Sequence, residues 1–239
     1  MYNNASEFYR AENGQPIGYF WGYKTAGIFQ DTQEIDEWRA AGNGILQSNV
    51  QPGDVRFMDR NHDGQINDKD KVNLGNGTPN FTLGLNLGFV YKGFDFSIVA
   101  NGAFGQQIVQ SYRNHTRPTP NYTTAILDRW HGEGTSNRIP RVTDSNINYQ
   151  FSDLFIQNGD YLRLSTLTLG YDFAKLFKGK AVSQARLYFQ VQNLFTITGY
   201  DGMDPEIGFG SSNNSWVSGL DYGYYPRPRT VLVGVNLKF

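Results

Sequence analysis

The sequence predicts an all-β chain: long antiparallel strands of the kind that build a transmembrane β-barrel, joined by long loops. Three observations predict it. Five segments alternate apolar and polar residues with a period of two. These segments run to about 10–13 residues, whereas strands in water mostly stop near 5 or 6 and a tilted strand crossing a bilayer needs roughly 9 to 11. The connections are also unequal, some short and some very long, which is the asymmetry of membrane barrels.

The first segment is NFTLGLNLGFVY, with Phe81, Leu83, Leu85, Leu87, Phe89 and Tyr91 on one face and Thr82, Gly84, Asn86 and Gly88 on the other. Lys92-Gly93 follows as a tight hairpin turn, where glycine accepts positive φ. The second, FDFSIVANGAF, sets Phe94, Phe96, Ile98 and Ala100 against Asp95, Ser97 and Asn101. In the third, YLRLSTLTLGYDF, the phase of Leu167, Leu169, Tyr171 and Phe173 is opposite to that of Leu162 and Leu164. That slip predicts a bulge near Ser165, or an upper half standing clear of the lipid. The fourth, QARLYFQVQNLFTI, carries Leu187, Phe189, Val191, Phe195 and Ile197 on one face. The fifth, RTVLVGVNLKF, carries Val231, Val233, Val235, Leu237 and Phe239. Expected bounds are 80–91, 94–104, 161–173, 185–198 and 229–239. Tyr91, Phe94, Tyr171 and Phe173 fall at strand ends beside short turns, the place of an interfacial aromatic girdle.

The totals agree. The chain has 239 residues, with 21 basic and 22 acidic side chains and a formal charge of −1. That balance offers no basic stripe for nucleic acid. Cysteine is absent, which removes disulfides, thiolate metal sites and a cysteine nucleophile. Aromatics reach 15% and glycines number 27, yet the mean hydropathy is −0.51. A barrel hides its membrane face in such an average, because outward apolar residues alternate with inward polar ones. No run approaches the roughly 18 apolar residues of a spanning helix. The polar opening, MYNNASEFYRAENGQP, is neither a signal nor a transit peptide.

An antiparallel sandwich in water also alternates, and it is the competing architecture. Five strands, however, cannot close a barrel, and an open edge in lipid leaves backbone groups unpaired. The chain is therefore expected to be part of a longer barrel. Residues 1–79 read as a loop region ahead of the strands, and 80–239 as strands separated by loops at 105–160 and 199–227. Within the middle loop, NYTTAILDRWHG suggests a short helix with Ile126, Leu127 and Trp130 on one face.

The most specific short pattern is DRNHDGQINDKD, residues 59–70. It fits the calcium-loop template D-x-N-x-D-G with an acid at position twelve. Asp59, Asn61 and Asp63 offer oxygens at positions one, three and five, and Gly64 makes the turn. Gln65 contributes its carbonyl, Asn67 binds directly or through water, and Asp70 closes the loop. Ca²⁺ favours such an all-oxygen shell. Position twelve is Asp, one methylene short of the usual Glu, and neither flank reads as a helix. The alternative is an ion-free Asx-rich turn. His62, His115 and His131 have no ligand spacing, and no nucleophile elbow, zinc-protease motif or phosphate loop occurs. The acids Asp201, Asp204 and Glu206 sit in a glycine-rich loop, where solvated carboxylates are commoner than catalytic pairs. Loop aromatics (Trp21, Trp38, Trp130, Tyr149, Trp216, Tyr222, Tyr224 and Tyr225) can stack on sugars or on one another.

Segments 18–30 (GYFWGYKTAGIFQ), 51–68 (QPGDVRFMDRNHDGQIND), 80–97, 160–173, 190–206 (QVQNLFTITGYDGMDPE) and 224–239 (YYPRPRTVLVGVNLKF) together resemble the SusC/RagA family of TonB-dependent outer-membrane transporters from Bacteroidetes. The resemblance runs through nearly the whole chain in the family's order. It implies a 22-stranded barrel with an amino-terminal plug, a SusD-like surface lipoprotein as lid, and import of oligosaccharides or peptides driven through TonB. This chain would then hold the last five strands and their loops, without the plug, the TonB box, the signal peptide and about seventeen strands. It also implies that the loop at 59–70 is a calcium loop, and that the terminal aromatic strand is read by the barrel-assembly machinery. Turns at Lys92-Gly93 and 174–183 would be periplasmic; 1–79, 105–160 and 199–227 would be extracellular. Two other functions stay open: a siderophore or cobalamin receptor of similar build, and a calcium-dependent carbohydrate-binding module in water.

Overall fold

In the computed structural model, alternation becomes five long strands. These are β1 (Phe81–Tyr91), β2 (Phe94–Phe104), β3 (Tyr161–Asp172), β4 (Gln184–Thr198) and β5 (Thr230–Lys238). The structure describes residues 9–111, 123–145, 147–177, 182–207 and 218–239. His115, Trp216 and the middle of the 174–183 turn lie outside them. The strands form one antiparallel sheet in the order β5-β4-β3-β2-β1, so each pairs with its neighbour in sequence. Each observed boundary lies within one residue of the expected one. No described helix is long and apolar enough to cross a membrane, which says nothing about crossing by strands.

Register explains the two faces. Phe89, Phe96, Leu169, Phe189 and Val233 stand opposite one another in a single row across all five strands. The row beside it is Leu87, Ile98, Leu167, Val191 and Val231. An intervening row, on the other face, reads Gly88, Ser97, Thr168, Gln190 and Leu232. The β1–β2 turn has positive φ at both Lys92 (49°) and Gly93 (94°). That is the type I′ geometry, whose twist matches the flanking strands.

The bulge falls where the phase slip puts it. Pairing of β3 with both neighbours shifts between Leu164 and Thr166, so Ser165 is the extra residue against β2. Leu164 then pairs with Ala100, and Leu167 with Ile98. One added residue returns all the β3 leucines to the apolar face. Opposite Ser165, β4 carries Asn193 in the left-handed region at φ 51°, a conformation Asn tolerates better than most side chains.

The chain divides into two compact units. One is the sheet with its flanks, 79–106, 158–206 and 224–239. The other gathers 1–78, 107–157 and 207–223. Its elements are small. Tyr9–Arg10, Tyr19–Gly22 and Val72–Asn76 form one sheet, and Thr25–Ile28 pairs with Val55–Phe57. Leu220–Asp221 pairs in parallel with Gln107–Gln110. Helix α1 (Thr32–Ala40) starts at Asp31, whose side chain accepts the Glu34 amide, and it buries Ile35. One core packs Tyr9, Phe20, Val109, Phe151, Phe155 and Leu220; a second packs Tyr23, Val55, Phe57 and Ile66. The short helix expected around residue 126 is a 3₁₀ turn, Thr124–Asp128. Leu127 on it is 70% exposed, so Ile126, Leu127 and Trp130 do not share a buried face.

Candidate functional site

Three features carry chemistry: the two faces of the sheet, the acid loop at 59–70, and an ionic cluster beside the upper end of β3 and β4.

The apolar face exposes most of its large side chains, although Val191 and Ala100 on it are buried, at 6% and 9%. Phe89 is 62% exposed, Phe189 43% and Val233 70%. At the short-turn end its aromatics touch in series: Phe94 and Tyr171 rings lie 4.4 Å apart, and Tyr171 and Phe173 4.8 Å apart. These are the aromatics expected at the strand ends beside short turns. The opposite face is polar and cross-linked between strands. Arg186 donates to Asp95 in a fork, at 2.7 Å from Nε and 2.5 Å from Nη2. The fork lies over Gly170, where a Cβ would come within 2.6 Å of Arg186 Nε. Tyr188 lies over Gly234 in the same way and stacks under the Arg186 guanidinium at 4.8 Å. Glycine is needed at both positions because a long side chain crosses them.

The acid loop folds on itself. Asp59 is 5% exposed and accepts the amides of His62 at 2.7 Å and Gly64 at 2.8 Å. Burial alone would raise its pKa, but the amides of Gly64, His62, Asp63 and Gly44 outweigh that and hold the carboxyl below the usual range. His62 and Gly64 take positive φ, 58° and 79°, to turn their amides inward. Asp70 is fully buried; it accepts from Arg60 N at 2.9 Å and from Asn67 N at 2.8 Å. Asn61 and Asp63 are exposed and bonded to each other, at 2.9 and 3.0 Å. Asp63 also accepts the Gln65 amide, and Asn67 caps the 3₁₀ turn Asp68–Asp70. The segment after α1 seals the loop: a Cβ on Gly44 would sit 2.5 Å from the Gln65 carbonyl carbon. Tyr23 borders it, its pKa raised to about 12 by burial and by the charges of Asp68 and Asp70.

As a cation site the loop has mixed credentials. Asp59, Asp63 and Asp70 form no ion pair with any described Lys or Arg, so the two buried carboxylates, Asp59 and Asp70, are held by backbone amides without a described basic side chain. The donor set is all oxygen, as Ca²⁺ requires. Among the described residues, however, no three His, Asp or Glu side chains are gathered closely enough to hold a metal.

The ionic cluster joins residues that no local sequence pattern links. Arg163 is 3% exposed on the polar face of β3. It donates from Nε to Thr196 at 3.1 Å, pairs with Asp204, and meets Glu206 at 3.1 Å. Arg227 meets Glu206 at 3.2 Å. The only signal in the sequence was an acid pair spaced around Pro205, with no clue to its partner 41 residues away. The loop unit has a counterpart. Fully buried Asp54 accepts from Arg141 Nε at 2.7 Å and from Asn148 Nδ2 at 3.0 Å, and Asn148 in turn accepts the Val55 amide.

No family model matches the chain. It is 33% identical over 237 residues to TonB-dependent receptor P3 of Formosa agariphila, covering 95% of this chain and 22% of that receptor. To TonB-dependent receptor SusC of Bacteroides thetaiotaomicron it is 30% identical over 197 residues, 82% of this chain and 18% of the other. Among solved structures it superposes on the RagAB peptide transporter with a TM-score of 0.68 at 22% identity, over 96% of this chain and 23% of that one. The closed-closed state of the same importer gives a TM-score of 0.69 at 21% identity, over 100% of this chain and 24% of that one. The chain thus spans about a quarter or less of the length of the proteins it matches. These relatives are receptors and transporters, not enzymes.

Proposed function

We infer the function from the premise that this chain is of SusC/RagA type, a segment of a TonB-dependent receptor. Its sheet is part of the barrel wall of an outer-membrane transporter, with the apolar rows toward lipid and the polar rows toward the lumen. The observation that carries this reading is the row Phe89–Phe96–Leu169–Phe189–Val233, apolar through all five strands and exposed at all but Phe96, which is half-buried, set against a polar opposite face. In water such a face would be an aggregation site; in a bilayer it is the anchoring surface.

The cargo is an oligosaccharide or a peptide, captured with a SusD-like lipoprotein and moved with energy from TonB. The similarity to SusC and the likeness in fold to a peptide transporter support that choice over an iron chelate. Tagging the full receptor on its barrel and purifying it in mild detergent should co-purify a surface lipoprotein. Cells should take up a labelled oligosaccharide or peptide in a manner abolished by collapsing the proton gradient. Uptake of a ferric chelate alone, with no lipoprotein partner, would transfer the chain to the siderophore class.

The loop at 59–70 is proposed to take calcium as a structural staple. Asp59, Asn61, Asp63 and Asp70 would supply side-chain oxygens, Gln65 its carbonyl, and Asn67 a direct or water-mediated contact. Two buried carboxylates, Asp59 and Asp70, that meet backbone amides but no described basic side chain support it. Calorimetry on the full receptor should show calcium binding that Asp63→Ala weakens strongly and Lys69→Ala leaves alone. No heat at millimolar calcium, with unchanged protease sensitivity after chelation, returns the loop to an ion-free turn.

A further inference from the structure

We propose that the Asp204-Pro205-Glu206 turn is a strap, closed on Arg163 and Arg227, that ties the two arms flanking β4 and β5, 199–206 and 224–229, against the polar face of the sheet. Strand β4 ends at Thr198, yet Asp204 and Glu206 return to Arg163, which faces Thr196 two residues inside the strand end. A connection that simply continued outward would leave Arg163 in solvent. Instead Arg163 is 3% exposed and Asp204 7%.

Both arms of the connection are tied. Asp204 also accepts the Glu206 amide at 2.9 Å and the Arg227 amide at 3.3 Å, so one carboxylate joins the leaving arm to the returning one. Lower down, the left-handed Asn193 donates from Nδ2 to the Pro228 carbonyl at 3.0 Å. Pro205 fixes φ between the two acids, which leaves them little freedom to separate. The closed strap bounds a cavity of about 290 Å³ lined in part by Arg163, Thr196, Asp204, Arg227 and Arg229.

The two halves of the closure differ. Asp204 is hydrogen-bonded to Arg163. Glu206 Oε2 and Arg163 Nη1 are buried 3.1 Å apart without a well-aligned hydrogen bond. Glu206 is therefore the weak half, releasing first, and Asp204 is the hinge pin. This assigns a role to DGMDPE that rests on this chain's geometry alone, whatever the cargo.

Hydrogen exchange by mass spectrometry on the full receptor in detergent tests it, reading peptides covering 199–207 and 224–230 against strands 81–104 as a control. Arg163→Met and Asp204→Asn should each speed exchange in both strap peptides by about ten- to a hundredfold, since each strands a buried ionic partner. Glu206→Gln should give a smaller acceleration confined to the same two peptides. The Arg163→Met/Asp204→Asn double variant should exchange no faster than the worse single one. Unchanged strap exchange in Arg163→Met and Glu206→Gln, with the control still protected, overturns the proposal. If Arg163→Met also loosens the control strands, Glu206→Gln decides: localised acceleration supports the strap, and none refutes it.

Discussion

Val109 and Val233 are the same side chain in opposite surroundings, the first 0% exposed and the second 70%. The same contrast holds for Leu220 at 0% and Leu237 at 57%, and for Phe20 at 0% and Phe189 at 43%. The first of each pair belongs to the unit built from 1–78, 107–157 and 207–223, the second to the sheet unit. Water sorted the first unit: its apolar groups are packed inward and its buried polar groups, Asp54 and Asn148, are paired. The sheet is sorted the other way, with apolar groups outward over a paired backbone. Burial of apolar groups is what water selects, so the two units obey opposite rules, as the proposed membrane role of the sheet requires.

The largest effect that sharpens this comparison is in the water-sorted unit. Asp54→Ala leaves the Arg141 guanidinium and the Asn148 amide without their shared partner. It should cost about 3–5 kcal/mol, the usual penalty for breaking a buried pair. Proteolysis of the 51–57 and 139–148 segments should rise steeply while the heat-modifiable mobility of the barrel is kept. Loss of the barrel as well would mean that the two units do not fold independently.

Next comes the sheet. Val233→Arg in the full receptor should destabilise the barrel by about 2–4 kcal/mol in a bilayer, because it places a charge among lipid tails. Gln190→Arg, on the opposite face of the neighbouring strand, should cost well under that. Equal effects on unfolding in lipid vesicles would break the assignment of faces. Asn193→Val tests the bulge: a β-branched residue at φ 51° should cost about 1–2 kcal/mol, whereas Asn193→Gly, which suits that φ and loses only the exposed bond to the Pro228 carbonyl, should cost less. A neutral valine would show that the bulge relaxes without cost.

The smallest effect is a pH dependence of the acid loop. Asp59 has a folded pKa below its unfolded one, because the amides around it favour the charged form. Its contribution to loop stability is therefore complete above the usual carboxylate range of about 4 and is lost as the pH falls through the lower folded value. Hydrogen exchange of residues 59–70 should accelerate on acidification, and Asp59→Asn should flatten that response. An Asn variant with the same acid profile would put the titration elsewhere.

The long strands were legible because period-two alternation over eleven residues is a strong local signal. Even the Ser165 bulge was written into the phase of Leu162 and Leu164 against Leu167 and Leu169. The first 79 residues read as a loop region because their strands are only two to five residues long, too short for alternation to rise above chance. The Asp-rich spacing announced a turn at 59–70, yet it did not reveal that Gly44 seals it or that Asp59 and Asp70 are occupied by backbone amides.

The five strands, their apolar and polar faces, the aromatic strand ends and the bulge are encoded locally, since each depends on side chains two residues apart on one strand. Only the tertiary structure decided which distant segments meet: Asp54 with Arg141 and Asn148, Arg163 with Asp204, Leu220 with Val109. Those contacts join residues 41 to 111 positions apart, and no local period encodes them. Their partners are selected by the cost of leaving a charge or an apolar side chain unmatched once the chain has closed around it.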